Sequence, residues 1–566
     1  MSNEIKRLSF SEIPYERPVL EDLLTVTRRS RLMLRLAINP TGAARALEDF
    51  DAALAEWRSL AAIVQIRHDQ AIGDPFYLKE QAFFDENNAQ VQNLERDIYD
   101  ALSKNRHGAA LSERYGSMLM QRAQQARHLT SPEVTDLIAE ENRLASECMN
   151  LKSEAEVDFN GRFLNLEQME PYLQDPDREI RRGAHAAVSS FYAARAESFD
   201  ELFDRLVHTR TEIAQKLGFP SFTELGYLRM ERFDYGRAEV EAFRELIVSY
   251  IVPVATEIRR LQRRRLGVER LYHYDLPCLA PQGNPVNKVA PAQLAQTAGK
   301  VFRLLFDKSP SFLYSLDRRR FMDLEARPGK AGGGYCETIH SAELPFIFMN
   351  ASSTHEDVTT LMHECGHAYA SIASLSERRL TVLHQPSLDI CELHSTAMEY
   401  LTYPYMDQFF GEEAEAYTLL HMSQSLLFLP YACLVDEFQH HVYDQPELSP
   451  EARNELWREL ERKYQPELEY REGEHFASGR AWQKKEHIFA APFYYIDYAL
   501  AQIGALQFWI QARRKPKKVL EKYSALCAAG GELTFNELLE LAGLESPFKP
   551  AAFKRVAYQA SSFLDL

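Results

Sequence analysis

The chain has 566 residues, of which 45% are hydrophobic and 26% charged, so it can bury a large core and is long for a single domain. Its formal net charge of −17 argues against nucleic acid and other polyanionic partners. The sequence shows no apolar leader and no uninterrupted apolar run of roughly eighteen residues, so we expect neither secretion nor a membrane span. The seven cysteines form no CxxC pair, which is typical of a reducing compartment and predicts a cytoplasmic location.

Helical periodicity dominates the predicted elements in chain order. A Ser-Pro pair at 131–132 is a favourable start for a long amphipathic helix. Two later helices are separated by a Gly-Phe-Pro break at 218–220, and the next long helix is predicted to kink at Pro253. The segment 272–350 is the exception, because frequent proline and glycine and the short apolar run PFIFMN predict a small antiparallel sheet. From Asp357 onward the pattern is again helical.

The stretch LMHECGHAYAS, 361–371, carries two histidines four residues apart, with a glutamate directly after the first. In a helix over 357–373, His363 and His367 lie one turn apart on the same side, so both imidazoles can reach one ion. Glu364 is rotated by about 100° from His363 and lies beside that ion. Two neutral nitrogens with a nearby carboxylate base are what a zinc hydrolase requires. Because the motif also occurs by chance, the interpretation depends on a third ligand.

The third ligand is predicted on the next helix, 386–404. Ser387 is a suitable N-cap, and Glu392 and Glu399 lie two turns apart on a polar stripe among apolar residues. Burying carboxylates is costly unless a cation or hydrogen-bond donors meet them. We therefore predict Glu392 as the third metal ligand and Glu399 as a carboxylate that orients a liganding histidine. Alanines at 370 and 373 exclude a metzincin, which has glycine and histidine there.

These motifs together resemble a known family. HECGH followed by the glutamate of DICELHSTAMEY is similar to the thimet oligopeptidase and oligoendopeptidase F family of zinc metallopeptidases. KAGGGYC, PFIFMN, CELHSTAMEYL and PFYYIDYALAQ resemble its oligoendopeptidase F branch, over roughly residues 200–560. The resemblance implies a mainly α, two-lobed zincin-type fold with a small sheet near the active site and a deep substrate channel. We therefore expect an N-terminal helical region over 1–195 and a zinc peptidase catalytic region over 196–566.

By position in these motifs, the resemblance implies specific roles. His363, His367 and Glu392 match the family's zinc ligands, and Glu364 matches its general base. His394 is predicted to point elsewhere on its helix, and no other histidine is assigned as a ligand. Zn²⁺ is thus the expected cofactor.

The family also uses a downstream histidine and tyrosines to bind the substrate carbonyl and stabilise the oxyanion. In KKEHIFAAPFYYIDYALAQIG, 484–504, His487 fits the histidine. Tyr494 and Tyr498 are favoured over Tyr495 because they fall near one helical face with His487, although Pro492 can break the helical phase. One or more of these tyrosines can instead be core aromatics with a satisfied hydroxyl.

The sequence therefore predicts a zinc-dependent endopeptidase that cleaves internal bonds of short oligopeptides. Two alternatives remain open: a zinc carboxypeptidase or dipeptidyl carboxypeptidase, and an inactive helical scaffold, against which the intact ligand set argues. PFIFMN either offers an exposed edge that pairs with the substrate backbone or is a buried strand that shapes the wall above the metal. The loop Ala331 to Tyr335 is predicted to close over substrate. The sequence leaves the oligomeric state open.

Overall fold

The protein is mainly helical, as the sequence predicts. The computed structural model describes residues 6–126, 128–153, 155–306, 312–351, 354–377 and 380–566. Buried apolar side chains form two clusters. The smaller lies among residues 23–123 with Leu380 and Leu383, and the larger unites most of the remaining buried residues. Two separate cores agree with the two-lobed helical fold expected from the sequence.

The first part of the chain consists of helices joined by short turns. They are α1 Leu20–Leu36, α2 Pro40–Gln70, α3 Pro75–Ser103, α4 Gly108–Tyr115, α5 Ser117–Ala126, α6 Thr135–Ser153, α7 Leu166–Leu173 and α8 Arg178–Ala194. Asn39 and Asp74 cap α2 and α3, since each side chain accepts a backbone N–H and each helix begins with proline. The predicted Ser-Pro start opens a short 3-10 turn, Pro132–Val134, which leads into α6.

The central helices precede the metal-site motif. They are α9 Ala196–Lys216, α10 Phe222–Arg229, α11 Arg237–Leu246, α12 Val252–Leu266, α13 Leu294–Leu305 and α14 Phe312–Arg318. The irregularity predicted at Pro253 is a π-helical turn, Ile247–Ile251, between α11 and α12. Proline lacks an N–H and crowds the preceding turn, which explains why the hydrogen-bond pattern changes there.

Two small sheets interrupt the helices. The strands are β1 Val157–Phe159, β2 Arg162–Leu164, β3 Met322–Glu325, β4 Gly334–Ile339 and β5 Leu344–Ala351. In the larger sheet the order is β3-β5-β4, with β4 antiparallel and β3 parallel to β5. The PFIFMN run therefore forms the central strand β5, and β4 is an edge strand. Of the two alternatives for PFIFMN, the structure supports the buried strand.

Helices of the last part surround the predicted metal ligands. They are α15 His355–Leu375, α16 Leu388–Leu401, α17 Asp407–Phe410, α18 Ala414–Asp444, α19 Pro450–Tyr464, α20 Glu486–Ala490, α21 Tyr495–Ala512, α22 Pro516–Ala529, α23 Phe535–Ala542 and α24 Pro550–Leu564. Helix α16 packs against both α15 and α21. At the α15–α16 crossing, a Cβ on Gly366 would lie 2.7 Å from the Cα of Ser395, so this close approach requires glycine. Gly366, two residues after Glu364, thus allows the two ligand-bearing helices to pack closely.

One helical stretch, Tyr403–Asp444, is long and apolar enough to cross a membrane by length and composition. In its most apolar window, 67% of the residues are buried inside the protein. Core helices of globular proteins have the same composition, so this stretch is weak evidence for a membrane span.

Candidate metal centre and catalytic groups

The histidines of the HExxH motif lie on one face of α15. Thr354 caps this helix by accepting the backbone N–H of Asp357 at 3.2 Å, and the carboxylate of Asp357 accepts the N–H of Thr354 in return. The ring centroids of His363 and His367 are 4.9 Å apart. The helical spacing therefore directs both imidazoles to the same place, as the sequence predicts.

Glu392 on α16 joins these histidines. Its Oε2 lies 3.2 Å from Nε2 of His363 and 3.7 Å from Nε2 of His367. The three ligand-type atoms all lie within 4.8 Å of one another. Two imidazoles and one carboxylate converging in this way are the donor set of a catalytic zinc site that keeps a position open for water or substrate.

Glu399, two turns after Glu392 on α16, lies behind the first histidine. Its Oε1 lies 2.7 Å from Nδ1 of His363, and its Oε2 lies 2.7 Å from Nε2 of His421 on α18. His421 in turn is 2.6 Å from the hydroxyl of Tyr403. His421 was not predicted, because a single histidine in a long apolar helix has no periodic signal. The structure thus places Glu399 where it can orient His363.

Glu364 lies beside the three converging side chains. It is buried, and its Oε2 has no hydrogen-bond partner among the described residues. Burial raises the pKa of Glu364 to about 7, against the charge of His363 and assisted by the nearby carboxylates of Glu392 and Glu399. An unpartnered carboxylate oxygen in this position can accept a hydrogen bond or a proton from a molecule bound in the site.

The charges of the converging groups are strongly coupled. Burial opposes ionisation of Glu392, but the hydrogen bond from His363 and the imidazole charges outweigh it and lower its pKa to about 2. Burial also opposes protonation of His363, yet the carboxylates of Glu392 and Glu399 raise its pKa well above the ordinary value. Burial lowers the pKa of His367 to about 4. The site therefore concentrates negative charge, which favours a bound cation.

The downstream segment brings its histidine and tyrosines to the same centre, but not by helical phase. Helix α20 ends at Ala490 and α21 begins at Tyr495, so His487 lies on α20, Tyr494 is the N-cap residue before α21, and Tyr498 lies on α21. Tyr494 donates its hydroxyl hydrogen to Oε1 of Glu392. The ring of Tyr498 lies 5.0 Å from that of Tyr494.

The neighbouring side chains complete this arrangement. His487 has its ring 5.8 Å from Tyr494 and a buried Nδ1 without a hydrogen-bond partner among the described residues. Burial lowers its pKa to about 4, with help from the charge of Lys485. Tyr495, the residue not favoured by the sequence analysis, accepts a hydrogen bond from Nζ of Lys485 at 3.0 Å. Tyr494 and Tyr498, and not Tyr495, line the cavity at the ligand cluster.

A cavity of about 270 Å³ opens at the three converging side chains and is lined by Glu364, Tyr494 and Tyr498 as well. His394 also lines it, and its buried Nε2 has no hydrogen-bond partner within the part of the chain that the structure describes. The prediction that His394 points away from the site is therefore wrong. Its backbone sits against Gly366 at the helix crossing, and this tertiary contact is invisible in the sequence spacing.

The edge strand β4 borders the same cavity. The backbone N–H of Asn350 donates to the carbonyl of Gly333, and the antiparallel register then directs positions 335, 337 and 339 toward β5. The N–H and C=O groups of Gly334, Cys336 and Thr338 consequently point away from the sheet, and these three residues line the cavity. The free backbone edge is thus on β4 and not on PFIFMN.

The glycine-rich run before β4 is anchored at its ends. The N–H of Ala331 donates to the carbonyl of Asp69 at 2.8 Å, and the Tyr335 hydroxyl donates to the Asp69 carboxylate at 2.9 Å. Between these bonds Gly333 has a φ of +81°, in a region of backbone conformation that glycine adopts more readily than other residues. The predicted closing movement of this loop stays a prediction.

The chain is similar to known proteins over most of its length. The model of peptidase family M3 matches residues 171–558, and the model of the peptidase M3 N-terminal domain matches residues 10–129. Among curated proteins, oligopeptidase PepF of Bacillus subtilis (strain 168) is 22% identical over 413 residues. That match covers 68% of this chain and 56% of PepF, so the chain spans little more than half of that relative.

Solved structures match almost end to end. PZ peptidase A, solved with an inhibitor, is 38% identical with a TM-score of 0.94, covering 98% of this chain and 99% of the other. A structure solved as a candidate oligoendopeptidase F is also 38% identical, with a TM-score of 0.95 and 99% of each chain covered.

Proposed function

The chain belongs to the oligoendopeptidase F branch of peptidase family M3, a family of metallopeptidases, and on this premise we propose a zinc-dependent endopeptidase that hydrolyses internal bonds of short oligopeptides. One observation supports the proposal most directly. His363, His367 and Glu392 place their ligand-type atoms within 4.8 Å of one another, beside the buried and unpartnered carboxylate oxygen of Glu364.

The donor set fits zinc. Nitrogen and carboxylate donors suit this ion, and three protein ligands are the usual number in a catalytic zinc site. A zinc ion held by His363, His367 and Glu392 would polarise the substrate carbonyl and make water more acidic. Glu399 holds Nδ1 of His363, which leaves Nε2 for the metal.

Glu364 is the proposed general base. Its free oxygen accepts a proton from the attacking water, and the same carboxyl group later gives that proton to the leaving amine. The water oxygen becomes bonded to the carbonyl carbon, the peptide C–N bond breaks, and the products are a carboxylic acid and an amine. No covalent bond to the protein is required.

Tyr494, Tyr498 and His487 are the proposed donors to the oxyanion that develops on the carbonyl oxygen. Tyr494 and Tyr498 line the cavity, and His487 lies within 6.0 Å of both rings. In this structure the Tyr494 hydroxyl is bonded to Glu392, so its donation to a substrate requires a change of partner.

The free edge of β4 is the proposed contact for the substrate backbone. Gly334, Cys336 and Thr338 direct peptide groups into the cavity, where an extended peptide can pair with them as an added strand. Such pairing holds backbone atoms irrespective of side-chain identity. We therefore expect the enzyme to accept varied sequences and to require neither peptide terminus.

Two further expectations are part of the proposal. The division into an N-terminal helical region, 1–195, and a catalytic region, 196–566, follows the position of the motifs. A cytoplasmic location, with oligopeptides as substrates and no nucleic acid or membrane partner, follows from the composition.

The test is product mapping by mass spectrometry on one peptide of intermediate length, in free, C-terminally amidated and N-terminally acetylated forms. We expect internal cleavage of all three, and negligible cleavage of a stable folded protein, because only an extended segment can pair with β4. Strict dependence on a free C-terminus would assign a carboxypeptidase or dipeptidyl carboxypeptidase instead. An absence of hydrolysis with zinc bound would indicate a binding scaffold.

A further inference from the structure

Phe493, the residue before Tyr494, has a left-handed backbone conformation with φ +67°. This region is unfavourable for an aromatic residue, so it persists only where the surrounding structure imposes it. The turn at Phe493 lies between α20 and α21 and brings the ring of His487 to 5.8 Å from that of Tyr494. In a continuous helix, residues seven positions apart would be separated by about 10 Å along the axis.

Two buried side chains hold the backbone of Phe493. Its N–H donates to Oε1 of Gln439 at 3.0 Å, and Nε2 of the same amide donates to the carbonyl of Val435, which fixes the amide orientation. Its carbonyl accepts a hydrogen bond from Nη2 of Arg232 at 2.6 Å. Both backbone groups that flank the unfavourable φ are therefore tied to α18 and to the turn after α10.

Arg232 also fixes the first turn of α21. The same Nη2 lies 2.7 Å from Oδ1 of Asp497, three residues after Tyr494. The guanidinium stands over the ring of Tyr227 at 4.5 Å, and the side chain is fully buried. One cation thus connects the carbonyl before Tyr494 to the carboxylate after it, and holds the tyrosine between them.

The ring of Phe493 is held just as closely. It is fully buried among aromatic side chains, with ring centroids 5.0 Å from His440 and 5.5 Å from Tyr443. On the other side it lies against Gly226 of α10. A Cβ at Gly226 would lie 2.5 Å from Cδ2 and 2.9 Å from Cε2 of Phe493, so only glycine leaves room for the ring.

We propose that Arg232, Gln439 and Gly226 are positioning residues for the reaction, which hold Phe493 in its left-handed conformation and thereby aim Tyr494 and Tyr498 into the metal cavity. The inference rests on the proposed function of those tyrosines. None of the three belongs to the ligand cluster or to the residues that line the cavity. They act through the turn, whose geometry determines where the phenol groups stand.

The test is Gly226→Ala, with Gly183→Ala as the matched control. Both glycines are helical, but a Cβ at Gly183 meets Phe159 only at 3.5 Å, an ordinary contact. We expect Gly226→Ala to lower kcat about 10–100-fold, as for a misplaced reacting group, with zinc content unchanged and KM within about twofold. Gly183→Ala should match the wild type.

Two further variants separate positioning from folding. In Gly226→Ala/Phe493→Leu the smaller side chain makes room for the methyl group, and kcat should recover relative to Gly226→Ala. Gln439→Met removes the acceptor of the Phe493 N–H without changing the ring contact, and should lower kcat in the same way. It provides the measurement if Gly226→Ala does not fold.

The outcomes are decisive in each case. If Gly226→Ala and Gln439→Met both keep the wild-type kcat, the positioning role is wrong. It is also wrong if kcat in Gly226→Ala falls in proportion to zinc content, or if adding Phe493→Leu does not restore kcat. Tyr494→Phe/Tyr498→Phe provides the comparison with the proposed function. If that double variant keeps full turnover, the role of the tyrosines fails and the inference fails with it. If it loses turnover while Gly226→Ala does not, the positioning role alone is wrong.

Discussion

Glu399 approaches His363 through a single pair of atoms, Oε1 and Nδ1, which are 2.7 Å apart. The other carboxylate oxygen is 2.7 Å from Nε2 of His421, so Glu399 is held from both sides. With its Nδ1 engaged, His363 directs Nε2 toward Glu392, at 3.2 Å from the carboxylate. The ring orientation of the first histidine is therefore set by a residue that is not itself part of the ligand cluster.

The first prediction separates Glu392 from Glu399. Glu392→Ala should abolish most zinc binding, because it removes one of three donors. Glu399→Ala should weaken zinc affinity about 10–100-fold, as expected for a residue that orients a ligand. Competition with a fluorescent chelator gives both affinities. The reverse order would show that Glu399 is the ligand.

The second prediction concerns Glu364. Glu364→Gln should bind zinc like the wild type but lower kcat about 10²–10⁴-fold, because an amide cannot accept the proton of the attacking water. Steady-state kinetics and elemental analysis on the same preparation measure the two quantities. If zinc content fell in proportion to the rate, Glu364 would be a ligand or a structural residue.

The third prediction concerns the hydroxyl of Tyr494, which donates to Glu392 in this structure. Tyr494→Phe should lower kcat about 10²–10³-fold if the phenol stabilises the oxyanion, measured at saturating zinc. Tyr495→Phe is the matched control, because that tyrosine does not line the cavity. A loss confined to zinc affinity, with full turnover at saturating metal, would mean that Tyr494 only supports Glu392.

Local spacing predicted the parts of the site that lie within one helix. His363 and His367 are one turn apart, and Glu392 and Glu399 form one stripe of α16, so periodicity alone placed them. His421 and His394 depend on helix packing, which leaves no mark in a single sequence. The order of the larger sheet also depends on tertiary pairing, although the uninterrupted apolar run of PFIFMN is the pattern of a strand buried on both faces.

The convergence of His487 with Tyr494 and Tyr498 shows the limit of periodicity most clearly. The sequence favours the same two tyrosines only if one helical face carries them together with His487. The structure brings the side chains together through the left-handed turn at Phe493, which ends one helix and begins another. The two tyrosines favoured from the sequence are the ones that line the cavity, but a turn between two helices brings them there and not a shared helical face.

The fourth prediction concerns acid stability and His340. Its Nδ1 lies 3.3 Å from Nδ1 of His384, and burial, with the charges of His384 and Arg58, lowers its pKa from 6.5 to about 4. Because the folded state resists protonation, the contribution of His340 is present above about pH 6.5 and is lost as the pH falls toward 4. The loss should amount to about 1–3 kcal/mol of the free energy of unfolding.

Urea unfolding of the zinc-free protein at pH 7 and pH 4.5 measures this effect. His340→Gln should show a smaller fall in stability between the two pH values than the wild type, since the amide does not titrate. An equal fall in both proteins would show that His340 makes no contribution to the acid sensitivity.

The most direct test of the account is zinc titration of the metal-free enzyme, with peptide hydrolysis and bound zinc measured on the same samples. We expect no hydrolysis after chelation, and a return of activity that is complete at one zinc per chain. His363→Ala, His367→Ala and Glu392→Ala should each fail to recover at that stoichiometry. Full hydrolysis by a preparation shown to be metal-free by elemental analysis would contradict it.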